Sequence, residues 1–503
     1  MSSDAVGSER IAKIVGYKLA KGNFAESSPN LPQRIAVIGE ANTANQGGLD
    51  LEPFECTSAQ QAGERYGFGS PIFLQMRILR PTSGGGAGGI PTIVYPQAEP
   101  NGASEKVIQV SPTGTVTANG THTLVIGGRY SLDGGSYDIN LVSGDTSNEI
   151  TGKIEDAINR VLGCPVTASS TDYEAVLTSK WKGLTADGIT FSIDTNGNDL
   201  GVTYSITTLQ AGSGTPTVTS SLEKFQNEWN TIVSNGYGMN ASVITELEQF
   251  NGIPQTIPTG RYAGIVFKPF IAVCGSVADN NSSFTDTKKL QVTVAVAPAP
   301  LSMGLPLEAS ANMSVIFARI SQDTPHLDVS GLYYPDMPTP TTIGTMSSYD
   351  NRDLYVKRGN SCVELLAGQY RVTDFVTTYH PDGEVPPQYR YCRNLMIDYN
   401  VRYGYYLLEQ INVVDHAIAA DEDTVIVNTV VKPKTWKGVL NKYFVNLSQR
   451  GLIVQPDFSS NSLRVSISTI NPDRLETTFD YKRSGFTRIA STTASAGFNF
   501  GTL

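Results

Sequence analysis

Thr435-Trp436-Lys437-Gly438-Val439-Leu440-Asn441-Lys442-Tyr443-Phe444-Val445-Asn446-Leu447 places apolar side chains at helical spacing. Trp436, Val439, Leu440, Tyr443, Phe444 and Leu447 fall on one stripe, with Lys437, Asn441 and Lys442 between them. Thr435 is the expected cap of a helix starting at Trp436, and Gly451 is placed to end it, since glycine takes a left-handed C′ conformation without a Cβ penalty. Downstream, Leu463, Val465 and Ile467 alternate with polar residues, as do Leu475, Thr477, Phe479 and Tyr481. These runs predict two half-buried strands joined by the turn residues Asn471-Pro472-Asp473. A helix packed on a small sheet is the expected product. The closing segment, residues 484–503, is small and polar except for Phe486, Ile489, Phe498 and Phe500. It is too polar for a core and too aromatic for an idle tail, so its natural seat is a neighbouring molecule.

The order of motifs here resembles the C-terminal domain of contractile phage tail sheath proteins. The resemblance is carried by Thr429-Val430-Val431-Lys432-Pro433-Lys434-Thr435-Trp436-Lys437-Gly438-Val439-Leu440, Gly451-Leu452-Ile453, Asn471-Pro472-Asp473-Arg474, Tyr481-Lys482-Arg483-Ser484-Gly485 and Ala496-Gly497-Phe498-Asn499-Phe500-Gly501. Tyr370-Arg371-Val372-Thr373-Asp374-Phe375-Val376-Thr377-Thr378-Tyr379 is similar to a family strand that precedes a long helix, and Arg34-Ile35-Ala36-Val37-Ile38-Gly39-Glu40-Ala41 and Phe68-Gly69-Ser70-Pro71 fit the N-terminal pattern. The likeness covers roughly the first hundred and last two hundred residues and leaves the middle uncovered. It implies a structural subunit that stacks as hexameric rings in a helical polymer around a tail tube and contracts to drive the tube through a host envelope. It also implies neighbours linked by exchanged terminal arms, baseplate and tail terminator proteins as further partners, a place in the virion tail, and assembly in the host cytoplasm.

At 503 residues the chain exceeds the size at which one core keeps growing, so two to four domains are expected. Hydrophobic residues at 40% and charged residues at 17% describe a folded globular protein rather than a disordered or membrane one. A net charge of −10 without a Lys/Arg cluster argues against nucleic acid, because affinity for phosphates needs clustered cations. The most hydrophobic stretch, residues 290–307, is broken by Pro298, Pro300 and Pro306, which argues against membrane insertion. The start of the chain lacks the basic and apolar regions of a secretory signal. Cys56, Cys164, Cys274, Cys362 and Cys392 are odd in number and widely spaced, which reads as reduced, buried thiols.

The expected fold class is a multidomain α+β and α/β chain. Residues 1–33 form an N-terminal arm in which Val15, Tyr17 and Leu19 alternate as a lone strand. Residues 34–101 and 215–370 are the two parts of a layered α/β core, with a strand over 34–41, helices within 57–80 broken near Gly67-Phe68-Gly69, and strands at Thr92-Ile93-Val94-Tyr95, Thr231-Ile232-Val233, Ile265-Val266-Phe267 and 290–296. Helices are expected near 243–250 and 308–320. Residues 102–214, dense in Thr, Ser and Gly, read as an inserted, mostly β domain with one helix over 149–162. Residues 371–485 are the terminal domain, entered through a long helix over 395–414, and 486–503 are the C-terminal arm. Val15, Tyr17, Leu19, Phe486, Ile489, Phe498 and Phe500 are the expected intersubunit arm residues. Trp436, Val439, Leu440, Tyr443, Phe444, Leu447, Phe479 and Tyr481 are the expected core and socket of the terminal domain.

Chemistry-bearing motifs are weak. Gly84-Gly85-Gly86-Ala87-Gly88-Gly89 satisfies a dinucleotide spacing but lies between a helix and a strand, the reverse of the order that puts a pyrophosphate on a helix N-terminus. Asp194-Thr195-Asn196-Gly197-Asn198-Asp199 begins like a calcium loop, yet Asp199 stands where glycine is required and Ser205 where a bidentate glutamate is, so a hairpin turn at Asn196-Gly197 is the expectation. His122, His326, His380 and His416 share no ligand spacing, and no serine elbow is present. No catalytic residue, cofactor or metal is expected. The competing reading is a β-rich adhesin or receptor-binding protein in which residues 102–214 contact a carbohydrate or surface.

Overall fold

The computed structural model describes residues 29–384 and 387–498. Its centre is a six-stranded sheet in the order Val294–Pro298, Ile271–Ser276, Ile232–Asn235, Ile35–Glu40, Thr92–Gln97, Phe54–Glu55. All pairings are parallel except the last, where Phe54 stands opposite Val94 in an antiparallel edge. The five parallel strands are buried along their whole length, so they show no apolar–polar alternation. Helix Pro306–Asp323 and helix Pro71–Leu79 cover one face, and a cluster around Leu222, Phe225, Val243 and Leu247 covers the other. The result is a three-layer mixed α/β body.

Local chemistry places these elements. Ser58 and Ser70 accept from the backbone N–H of Gln61 and Phe73, capping Ala59–Tyr66 and Pro71–Leu79. Gly67 between them has φ +93, which ends the first helix. At Gly275 a Cβ would stand 1.7 Å from the Pro306 carbonyl oxygen, so only glycine lets the long helix approach the sheet this closely.

Residues 107–210 build two larger sheets, both antiparallel, besides the short pair Ser131–Leu132 and Gly135–Ser136. One runs Val202–Gln210, Val107–Gly114, Ala175–Ser179, Val166–Ser170, and the other Phe191–Asp194, Gly120–Ile126, Asp138–Leu141. Helix Ser147–Asn159 packs on both through Ile150, Ile154, Ala157 and Ile158. Their apolar core is continuous with Ala59, Phe73, Leu74, Leu305 and Leu307 of the body. Arg129 adds an ionic tie, pairing with Glu308 at 2.8 Å and bonding Asp336, which also takes Arg77 at 2.6 Å.

Three local expectations are corrected. Ile265-Val266-Phe267 is a turn in which the N–H groups of Val266 and Phe267 both reach the Ala263 carbonyl, and the strand lies four residues on, at Ile271–Ser276. Asn196-Gly197 does turn, with φ of 54° and 72°, but its flanking strands belong to different sheets, so it is no hairpin. The terminal helix starts at Pro433 rather than Trp436, because proline's fixed φ and missing N–H suit the first helical position, and Thr435 lies inside the first turn.

Among the described residues no helix is long and apolar enough to cross a membrane. All five cysteines are buried and unbridged. No group of three or more His, Cys, Asp or Glu among the described residues is placed to hold a metal ion.

Candidate assembly site

Helix Cys392–Asn412 joins the body to the terminal region, because its successive faces enter two different cores. Cys392, Leu395, Met396 and Tyr399 pack in the body, whereas Ile397 and Val401 pack with Trp436, Leu440, Tyr443, Phe444 and Leu447 of helix Pro433–Gln449. The expected stripe of that second helix is therefore its buried face, with Val439 half-buried at the margin. Gly404 lets the two helices close: a Cβ there would meet the Tyr443 hydroxyl at 2.6 Å. That hydroxyl donates to the Val401 carbonyl at 2.7 Å.

The rings continue outward as a chain. Tyr405 lies 5.8 Å from Trp436 and 5.7 Å from Phe479, and Phe444 lies 5.1 Å from Phe479, spacings at which offset and edge-on aromatic contacts are favourable. Phe479 and Tyr481 are half-buried, and with Tyr262, Phe267, Tyr399 and Tyr405 they line a cleft of about 420 Å³ where the terminal region meets the body. At its rim Tyr481 donates to Asp398 at 2.7 Å, and Arg483 grips the same carboxylate with two bonds of 2.6 Å. Burial, reinforced by Asp398, holds the Tyr481 hydroxyl well above its usual range. Burial works against the Arg483 cation, yet Asp398 more than offsets it and its pKa is raised.

Beside the cleft, Arg464–Ile467 and Leu475–Thr478 pair antiparallel, and Ile453–Val454 pairs with Lys482–Arg483. Among the described residues each of these sheets has two strands. Two-stranded ribbons are marginal alone and present unpaired backbone edges.

The tail root is fixed by Arg393 and Arg488, which sequence reasoning passed over, and it seats Phe486, expected as an intersubunit arm residue, on its own chain. Ser484 donates its N–H to the Leu452 carbonyl at 3.0 Å, and Arg393 donates to the Ser484 carbonyl and hydroxyl at 2.9 and 2.7 Å. Phe486 is half-buried, with the Arg393 and Arg488 guanidinium groups 5.7 and 5.2 Å from its ring centre. Arg488 bonds Asp328, bonds Asp374 at 3.1 Å, and lies 3.7 Å over the Tyr391 ring. Burial pushes the Asp374 carboxyl up, and Arg488 only partly counters it. Past this point Ile489 is 77% and Phe498 89% exposed. Of the expected arm residues, Val15, Tyr17, Leu19 and Phe500 lie outside the described residues. No signal short of the fold marks Arg488, since its partners are 160 and 114 residues away in the chain.

No family model matches the chain. A curated relative, the Mu-like prophage FluMu tail sheath protein of Haemophilus influenzae, is 23% identical over 394 residues, which cover 76% of this chain and 77% of that protein. The likeness to sheath proteins read from the motifs is thus met by a relative named as one. Solved structures similar to this chain include the baseplate of the anti-feeding prophage, 9% identical, covering 97% of this chain and 100% of that one, with a TM-score of 0.48. The contracted helical sheath of the same system is 10% identical over 96% and 99% of the two chains, TM-score 0.45. A sheath tail protein from Desulfitobacterium hafniense is 9% identical over 93% and 100%, TM-score 0.42.

Proposed function

We propose that this chain, a homologue of a phage tail sheath protein, is the structural subunit of a contractile tail sheath and not an enzyme. The observation that carries the reading is the curated sheath relative, which matches about three quarters of both chains. In this reading subunits assemble in the host cytoplasm as hexameric rings, stack helically around a tail tube in the virion tail, and contract to drive the tube through the host envelope. Baseplate and terminator proteins bound the polymer at its ends. The body comprises residues 34–101 and 215–370, residues 102–214 are an insertion, 371–485 the terminal domain, and 1–33 and 486–503 the arms, exchanged outside residues 30–33 and 486–488, which bond their own chain.

The open ribbon edges and the aromatic cleft suit a tail donated by a second copy. Residues 489–503 carry no charged side chain, so an extended segment of them meets no desolvated charge in the cleft. A strand added to a foreign edge gains about 0.5–1.5 kcal/mol net per main-chain bond. Phe498 and Phe500 stand two apart, on one side of an extended strand, and burying each adds roughly 1.5–3 kcal/mol. Val15, Tyr17 and Leu19 are assigned the same role in the N-terminal arm.

Negative-stain microscopy of the purified full-length protein tests this. Tubes or rings are expected, and removal of residues 1–24, or of 489–503 so that Arg488 keeps its partners, is expected to leave folded, soluble monomers. Monomeric full-length protein at high concentration, or arm-deleted protein that still polymerises, overturns it.

A further inference from the structure

We infer that Arg488 is a positioning residue for assembly, clamping the root of the C-terminal tail onto the α/β body so that the intersubunit link begins at Ile489. The inference rests on the sheath reading for what the link does, but the clamp itself is a matter of geometry. Arginine in a small, polar, exposed tail normally keeps its head in water. Here the Arg488 side chain is 16% exposed and the Asp328 side chain it pairs with is 2% exposed. The same guanidinium reaches Asp374 at 3.1 Å and lies 3.7 Å over the centre of the Tyr391 ring, so two carboxylates and an aromatic ring hold one cation.

Where the partners sit gives the clamp its meaning. Asp328 lies just beyond helix Pro306–Asp323, and Asp374 ends strand Gln369–Asp374, which runs across the proposed 370/371 boundary and buries Tyr370 and Val372 in the body core. Tension along the tail therefore enters the rigid body. Without Arg488 the last attachments are those of Ser484, to Leu452 and Arg393, and the contacts of Arg393 with the Gly485 carbonyl and the Phe486 ring. Two more residues would then be free, about 7 Å of extended chain at ~3.3 Å per residue. A link with that much slack neither fixes the spacing of neighbours nor transmits a displacement smaller than itself.

Substituting Arg488 alone leaves Asp328 and Asp374 buried without their cation, so R488Q is compared with the triple variant D328N/R488Q/D374N, which carries no orphaned carboxylate, and with R488K. All are full-length. Hydrogen exchange on unassembled protein is followed at residues 484–490, and polymerisation by the critical concentration and the regularity of tubes.

The triple variant is expected to unfold within a few degrees of wild type, to exchange at least tenfold faster at 484–490 and nowhere else, and to need at least tenfold more protein to polymerise, with irregular tubes. R488K, a point charge without the fork, is expected to fall between. Unchanged protection at 484–490 in both R488Q and the triple variant overturns the clamp. Faster exchange with wild-type polymerisation overturns its role in assembly. Failure of the wild type to polymerise strikes instead at the sheath reading, leaving the clamp to the exchange data.

Discussion

Replacing Glu40 by glutamine should remove the loss of stability that this one carboxyl imposes between pH 4.5 and 8. Glu40 ends the first central strand and is 1% exposed. Thr185, from the segment between the antiparallel sheets, donates to its carboxylate at 3.0 Å and in turn accepts from Trp181 Nε1 at 2.9 Å. Burial is the main cause that pushes the Glu40 carboxyl up to about 8, the Glu99 carboxylate adds to it, and the Thr185 and Tyr237 hydroxyls counter only part. Below pH 4.5 the group is protonated folded or unfolded, and its full contribution is present. Between 4.5 and 8 the unfolded chain has released the proton that the folded chain still holds, so stability falls as pH rises, and above 8 the loss is complete. At about 1.4 kcal/mol per pH unit the interval is worth about 5 kcal/mol. Glutamine keeps the volume and stays neutral. Urea unfolding of unassembled wild type and E40Q at pH 5, 6, 7, 8 and 9, followed by tryptophan fluorescence, reads the difference directly. E40Q should gain steadily on wild type up to pH 8 and then run parallel. Parallel curves over the whole range, or a wild type that gains on E40Q as pH rises, would refute the buried neutral carboxyl.

Gly275→Val should prevent native folding or cost more than about 3 kcal/mol, because the new Cβ meets the Pro306 carbonyl at 1.7 Å and only a shift of the long helix relieves it; circular dichroism melts of the purified variant measure this. Trp436→Ala should destabilise the terminal region by about 3–5 kcal/mol, the range for emptying a large buried aromatic site, and local hydrogen exchange should show the loss over Pro433–Gln449. Tyr443→Phe removes one buried bond to Val401 and should cost only about 1 kcal/mol in the same assay. Asp398→Asn leaves the largely buried Arg483 without its counter-charge, and a loss of about 3 kcal/mol is expected from chemical denaturation.

How much of the fold is legible in the sequence depends on the range of the interactions involved. The stripe from Trp436 to Leu447, the break at Gly67 and the alternating strands near 464 and 475 are local patterns, and all of them appear as helix, break and strand. The strand at Ile271–Ser276 escapes pattern reading because a fully buried parallel strand has no alternation to read, while the apolar run Ile265-Val266-Phe267 offers a false one; Ile265 is in fact fully exposed. Asn196-Gly197 has the conformation its residues demand, but which strands a turn connects is decided by sheet pairing, not by the turn. Arg488 and Glu40 carry no local mark at all. Their chemistry is created by Asp328, Asp374 and Thr185, each more than a hundred residues away.

Those distant contacts also bear on how the region 102–214 relates to the body. Its apolar core is shared with Phe73, Leu74 and Leu305, Arg129 spans to Glu308 and Asp336, and Thr185 reaches Glu40 at the end of a central strand. Glu308 is itself 3% exposed and also bonds the Leu305 N–H at the start of the long helix, so pulling Arg129 away would strand a buried carboxylate in the middle of the body. A hinge between the two would have to open an apolar seam, a buried ion cluster and a buried hydrogen bond together, at a cost of several kcal/mol in each of the first two. The region must therefore turn with the body as one piece. On the sheath reading, displacement between subunits is then not absorbed inside this piece, which is why the point where the tail departs, at Arg488, matters more than any joint inside it.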